Sequence, residues 1–400
     1  MKILHVLYTY FPDVTGSSVR SEGIISGQKN NGVDVTVLTS PFQRGNSEQN
    51  VECINGIEVH RAYKAGRKLS ISEERVSILN RVKKIFYIFP FFLTIYKLAK
   101  EKKVEVIHAH SMFFCAYPAF IAAKLLKVAF VYEFRSVWEE RFNNKLQNKL
   151  IKKLETWALE LADSVVVINE GLKDELVSRG VNKDKVYVVP NAISNSVIDL
   201  TSGFTAPRQV NNFGYIGNFS EIEGLNILID SFCEAFPKGG KNADDFRLHF
   251  YGRGPFEPKL NQIIKTKNDT RIINYGAFKR EDLKSVYSSV DAVVIPRLDL
   301  KICNTVTPLK PLEAMAFHRL FIGSVVGGIV EVCGGENNQN GLFFKPGSVE
   351  SLTELMRGAV NKVDTAIIDN GANYAHARTW DNISVFYNDA YNYAKHGAGK

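Results

Sequence analysis

VVIPRLDLKICNTVTPLKPLEAMAFHRLFIGSVVGGIVE, Val293 to Glu331, reads as a buried strand (Ala292 to Ile295), a polar loop, a short helix, a second strand (Leu320 to Gly323) and a Gly-Gly turn. Pro308 and Pro311 bracket the helix start, and a proline in a first helical turn loses no hydrogen bond, so the helix begins near Pro311. Its free N–H groups and positive dipole end then lie at the carboxyl edge of a parallel sheet, where open α/β sheets bind phosphorylated ligands. Lys310 adds a full charge there. Glu313, one turn in, can accept two hydrogen bonds from a vicinal diol such as that of a ribose. Gly327 and Gly328 let backbone amides approach a second part of the same ligand. Taken singly, each of these residues is also an ordinary cap or turn residue; together they outline a ligand site.

At 400 residues, the chain is too long for one ordinary core and suits two domains. With 45% hydrophobic and 23% charged residues it is globular. A formal charge of +8 suits an anionic partner: phosphate, nucleotide or acidic lipid headgroups. Nucleic acid is not expected, because no cluster of Arg and Lys accompanies a finger-type or RNP-type motif. The five cysteines are scattered and never in C-x-x-C spacing, which fits a reducing compartment. Met1-Lys2 runs straight into a strand-like segment without the apolar core of a secretory signal, so the expected location is cytoplasmic.

Strand-like runs at Lys2 to Thr9, Val33 to Thr39, Ile57 to Arg61, Val104 to His108, Ala129 to Tyr132, Ser164 to Ile168 and Lys185 to Val189 alternate with amphipathic helices. Alternation of this kind makes a parallel sheet covered on both faces. Asn191 to Val210 is rich in Ser, Thr, Asn, Gly and Pro and reads as a linker, after which the alternation resumes. The fold class is therefore α/β, with two doubly wound Rossmann-like domains. The expected limits are 1–193, a linker at 194–211, and 212–379, with an aromatic-sided helix at 380–398 returning to complete the first domain. Lys83 to Lys100, KKIFYIFPFFLTIYKLAK, is too short to span a bilayer and is interrupted by Pro90. It is either a core helix pair or, over 83–103, an interfacial helix pressed on anionic lipid by its lysines.

Absences narrow the chemistry. There is no P-loop, no complete G-x-G-x-x-G, and no two aspartates two positions apart to hold a metal on a diphosphate. His108 and His110 share a strand face, but no neighbouring His, Cys or carboxylate cluster completes a metal site in the sequence, so no metal is expected. The remaining features fall at strand carboxyl ends. Thr15-Gly16-Ser17-Ser18 with Arg20 is a polar turn opening the first helix, able to bind an anion or simply to cap. His110 can meet a substrate hydroxyl or be satisfied locally. Glu133 and Arg135 are an acceptor site or a salt-bridged corner. Gly217 and Asn218 follow one strand, Arg253 and Gly254 another, and Arg253 can grip phosphate as a fork or stand alone in a turn.

TVTPLKPLEAMA (Thr305 to Ala316), SVVGGIVEV, NGLFFKPGS, FYGRGPF, YGAFKREDLKSVYSSVDAVVIPR and VVPNAI together resemble the retaining glycosyltransferases of family four, over essentially the whole chain and within them the exopolysaccharide-type members found with exosortase systems. The resemblance implies the GT-B architecture, two Rossmann-like domains with a cleft between them. It implies a metal-independent, hexosyl-type transfer from a nucleotide-diphosphate sugar, with no cofactor, to a surface-polysaccharide or lipid-linked glycan acceptor. By this likeness Glu313 binds the ribose diol, Lys310 the diphosphate, and His110 a donor hydroxyl. The amides around Gly328 lie near the sugar and Gly16 near sugar or phosphate. Arg20, Gly217, Asn218, Arg253, Gly254, Arg297, Thr305, Leu309 and Gly327 complete the donor side, with Glu133 and Arg135 facing the acceptor. Two departures stand out. Asn218 and Glu223 occupy positions where the family has Arg and Lys, and Thr305 stands where it has Glu. A nucleotide-sugar epimerase on the same scaffold, or a sugar-binding relative weakened in catalysis, are the alternatives.

Overall fold

The structure is a computed structural model that describes residues 1–13, 15–43, 49–62, 86–137 and 145–397. The chain divides into two compact units, Met1–Pro190 with Trp380–Lys400, and Asn191–Thr379. In the first unit, chain order runs β1 (Lys2–Leu7), α1 (Gly16–Asn30), β2 (Asp34–Thr39), β3 (Val51–Ile54), β4 (Ile57–Arg61), α2 (Ile88–Lys102), β5 (Val106–His110), α3 (Phe113–Leu126), β6 (Ala129–Phe134), α4 (Lys145–Leu161), β7 (Ser164–Val167), α5 (Glu170–Ser178) and β8 (Val186–Val188). The sheet order is β3-β4-β2-β1-β5-β6-β7-β8, parallel throughout except for β3, which pairs antiparallel with β4. β5, β6 and β7 are buried along their whole length, as a sheet covered on both faces requires.

The second unit holds α6 (Asn195–Leu200), β9 (Asn212–Ile216), α7 (Leu225–Ala235), β10 (Arg247–Tyr251), α8 (Glu257–Lys267), β11 (Ile272–Gly276), α9 (Leu283–Ser288), β12 (Ala292–Ile295), α10 (Lys301–Thr305), α11 (Lys310–Ala316), β13 (Leu320–Ser324), α12 (Gly327–Val332), β14 (Leu342–Phe344), α13 (Val349–Asn361) and α14 (Thr365–Ala377). Its all-parallel sheet runs β11-β10-β9-β12-β13-β14. The chain then returns to the first unit as α15 (Trp380–Ile383) and α16 (Tyr387–Gly397), with α15 against α1 and α16 against β6 to β8.

Three readings change. The segment at 194–211 is no free tether: Ile193 and Val197 are buried in the second unit's core, and Asn195–Leu200 is helical. The polar loop after β12 contains α10, and the Gly-Gly pair opens α12 instead of making a turn. Of the apolar window at 83–100, Lys83 to Ile85 lie outside the described residues, as do Trp138 and Glu139 beyond Arg135. The rest of the window forms one amphipathic helix, α2, with Phe91, Ile95, Leu98 and Ala99 buried. No helix among the described residues is long and apolar enough to cross a membrane.

Candidate functional site

In the second unit the strand order reverses between β9 and β12, so the crevice outside their carboxyl ends is where this topology receives a ligand. α11 starts at that edge. Leu309 caps it, its carbonyl accepting the Glu313 N–H at 3.3 Å, with Pro311 in the first turn as its fixed φ favours. The Lys310 side chain reaches back over the β9 turn. Gly217 there has φ +147°, and a Cβ would stand 2.5 Å from Lys310 Cε, so only glycine lets the lysine through.

Lys310 Nζ lies 2.9 Å from Glu223 Oε2 and donates to the Tyr215 hydroxyl at 2.5 Å, with the Tyr215 ring 4.6 Å beneath it. Arg297 grips the other side of the same carboxylate at 3.2 Å and donates to the Val306 carbonyl. Glu223 is thus the shared counter-ion of Lys310 and Arg297, more than a missing positive charge. Burial pushes the Glu223 carboxyl up, yet Arg297 and Lys310 outweigh it and hold it at about 2. Burial lowers Lys310 against the pull of Glu223. Glu313 is half-buried, pushed up by burial against the Tyr287 hydroxyl, which donates to it at 3.3 Å.

Around this centre the remaining donor-side residues separate. Asn218 and Arg253 are exposed, and no described residue bonds the Arg253 guanidinium. Gly254 is packed against the Phe219 carbonyl. The Thr305 hydroxyl is spent on its own helix, donating to the Lys301 carbonyl at 2.6 Å. The Gly327 N–H donates to Asn304 Oδ1 at 2.9 Å, and a Cβ on Gly328 would stand 2.3 Å from the Val306 carbonyl. The pair therefore packs α12 onto the 304–306 backbone, and the Gly327 amide is already taken. Tyr215, Tyr287 and Asn304 were invisible to sequence reasoning, because strand and helix periodicity explains two of them and no motif marks the third.

In the first unit, register brings His5 of β1 beside His108, and His110 beside Glu133 of β6. The three imidazoles are buried, with a nitrogen from each lying within 4.8 Å of the others. The sequence reading that no third ligand stands near His108 and His110 is thereby corrected. The cluster nevertheless suits a metal poorly. His5 gives its nitrogens to His110 and Gln28, each at 2.9 Å, and His110 gives its own to His5 and Arg135. A cation would also face two guanidiniums against one carboxylate: Glu133 binds Arg20 at 3.0 Å and Arg135 at 2.8 Å. Burial lowers His5 to about 4 and drives His108 and His110 well below the usual range. Burial raises Glu133, but Arg135 and Arg20 prevail and hold it at about 2.

These residues act as a buried keystone. Arg20 donates to the Val189 carbonyl at 3.0 Å and lies over the Trp380 ring, and Tyr387 donates to Glu133 at 2.8 Å. His110, Arg20, Glu133 and Arg135, expected as ligand or acceptor contacts, are all buried and bonded to one another. What they support is exposed: Arg135 donates to the Ser17 carbonyl and hydroxyl at 3.0 and 3.2 Å, fixing the Thr15-Gly16-Ser17 turn from below. Among the described residues, nothing lies within 4 Å of a Cβ built on Gly16.

Comparison with known proteins finds glycosyltransferases over both halves of the chain. Residues 14–196 match the model described as Glycosyltransferase Family 4, and residues 210–362 that described as Glycosyl transferases group 1. Comparison by sequence with curated proteins finds no match. Among solved structures, the chain is similar to sucrose-phosphate synthase from Thermosynechococcus elongatus (16% identity, 98% of each chain covered, TM-score 0.75). It also resembles Anabaena Alr3699/HepE in complex with UDP and glucose (17% identity, 98% of each chain, TM-score 0.69). A third is the catalytic domain of starch synthase IV from Arabidopsis thaliana bound to ADP and acarbose (12% identity, 100% of this chain and 99% of that one, TM-score 0.71). With its first half matched by the family 4 model, its second by the group 1 model, and each folded as a Rossmann-like unit, the chain is a glycosyltransferase of the GT-B plan.

Proposed function

We propose that the chain is a retaining, metal-independent hexosyltransferase. It moves a sugar from a nucleoside-diphosphate donor held on the second unit to a surface-polysaccharide or lipid-linked glycan acceptor, working at the inner face of a membrane that α2 contacts. The observation that carries this reading is the first turn of α11, where Lys310 and Glu313 stand together at the reversal point of the sheet. Glu313 accepts the ribose hydroxyls and Lys310 faces the diphosphate. In a front-face transfer the bond from the anomeric carbon to the diphosphate oxygen breaks as the acceptor oxygen bonds to the same face. The acceptor proton passes to the departing oxygen, so positive charge at the diphosphate supplies most of the rate. Lys310 must then be shared between the diphosphate and Glu223. Names of similar proteins agree with such a donor, since two of them are held with UDP or ADP.

Glu223 favours a second reading, a sugar-binding relative with slow turnover, because it neutralises part of the charge that the reaction uses. Calorimetric titration with nucleoside diphosphates and E313A tests the site. We expect E313A to weaken the preferred nucleotide at least tenfold with its circular dichroism unchanged. Undiminished affinity in E313A would sink the assignment. Turnover of the bound donor with acceptor separates the transferase from the binding relative, and donor conversion without acceptor identifies an epimerase.

A further inference from the structure

α2, α3 and α4 are successive crossovers running in one direction along the sheet, from β4 to β5, β6 and β7. Right-handed crossovers of that kind lie on one face, and α3 packs against both of the others. The outward side of such a layer is ordinarily polar. Here it is not. Of fifteen large hydrophobic residues exposed among the described residues, eight stand on or beside these three helices.

They form helical stripes. On α2 and the residue pair preceding it, Phe86, Phe89 and Leu93 lead into Lys97 and Lys100, each three or four positions after the last, all exposed. On α3 the exposed positions are Ile121, Lys124 and Leu125, followed by Lys127 at the helix end. On α4 Lys145, Leu146, Lys149, Leu150, Lys153 and Trp157 are exposed, with Glu160 the one exposed acidic residue of this helix, and Ile151, Glu155 and Ala158 are turned inward. Trp157 is 57% exposed, although its ring edge meets Tyr117 of α3 at 6.0 Å. Leu, Phe and Trp interleaved with lysine, on a face that is not a core, is the composition of a surface lying in a bilayer interface. A second protein would meet lysines that need acidic partners of matching spacing, whereas an anionic leaflet offers negative charge everywhere and hydrocarbon just beneath.

We infer that the outer face of α2, α3 and α4 is a docking surface for an anionic lipid bilayer, with Phe89, Leu125 and Trp157 entering the headgroup boundary and the lysines above them on the phosphates. This deepens the membrane contact of the proposed function and rests on that reading, extending it from one helix to three. Its test uses neither donor nor acceptor, so its failure is distinguishable from failure of the transferase reading.

The test is co-sedimentation of the full chain with vesicles of phosphatidylcholine alone or with phosphatidylglycerol, at low and physiological salt. We expect binding to the anionic vesicles only, weakened by salt. K149Q and K153Q should each lower the partition coefficient about fivefold, the equivalent of ~1 kcal/mol per basic residue near an anionic surface. L125S and W157S, made at exposed positions and checked for an unchanged melting temperature, should lower it at least tenfold. Absence of binding to anionic vesicles at low salt overturns the proposal. Loss of binding in F89S with L125S and W157S silent also overturns it, because one helix would then suffice. Concentration-dependent dimerisation abolished by W157S, without vesicle binding, assigns the face to a second copy instead.

Discussion

Glu223 faces two cations at once, and that decides what its removal does. Taking away one member of a buried ion pair leaves uncompensated charge and costs about 3 kcal/mol or more. E223Q should therefore lower the stability of the second unit by roughly that amount in a urea melt. It should at the same time free Lys310 for a phosphate and tighten nucleoside diphosphate binding about tenfold, since charge-assisted bonds to phosphate are the strong kind. A stability loss without any gain in nucleotide affinity would show that Glu223 does not compete with the ligand. This residue also marks where the sequence stops being legible. The pairing of Lys310 and Glu313 on one helical turn follows from local spacing and was readable. That Glu223 would close onto Lys310 depends on two segments far apart in the chain meeting across the β9 turn, which periodicity does not encode. The same holds for His5, joined to His108 only through the register of β1 on β5.

Elements are the most legible scale, because AVVI in β12 and SVVV in β7 are each three β-branched residues after one small one, bounded by polar turns. Short helices are not. α10 and α12 have five and six residues, too few for a 3.6-residue period to show, and tertiary packing alone holds them helical. α15 illustrates how closely an element can be fitted by residues with no side chain. A Cβ on Gly27 of α1 would stand 2.5 Å from the Trp380 carbonyl oxygen, which is backbone and cannot rotate aside. G27A should force α15 off α1 and cost about 1–3 kcal/mol, read as a fall in melting temperature. G16A provides the contrast on the same helix: its Cβ meets no described residue, and alanine at a helix start is no worse than glycine, so the melting temperature should hold or rise. If Gly16 approaches the donor as the family resemblance implies, G16A instead loses transfer activity at full stability.

At the scale of the whole molecule, the two units share a device: a buried carboxylate bridged by two cations, Glu133 by Arg20 and Arg135, Glu223 by Arg297 and Lys310, each held at about 2. A carboxyl depressed on folding stabilises above its unfolded value near 4.3, and that stabilisation is lost as pH falls from there toward 2. Both units therefore weaken together in strong acid. They differ in milder acid. The first unit buries His5, His108 and His110 neutral, so below about 6.5 the unfolded state binds protons that the folded state refuses. Each such imidazole removes up to ~1.4 kcal/mol per pH unit, or roughly 4 kcal/mol for three, and the loss continues until pH reaches the depressed folded values. The second unit has His249 and His318, lowered by burial, and so fewer groups contributing to the slope. The sequence supplies a reporter for the difference: its three tryptophans, Trp138, Trp157 and Trp380, all belong to the first unit. Urea melts followed by tryptophan fluorescence should shift to lower midpoint between pH 7 and pH 5 by more than melts followed by far-ultraviolet dichroism, which sees both units. H108N should flatten the fluorescence slope by about one group's worth, and coincident shifts of the two signals at every pH would contradict the assignment of the buried histidines as the acid-sensitive centre.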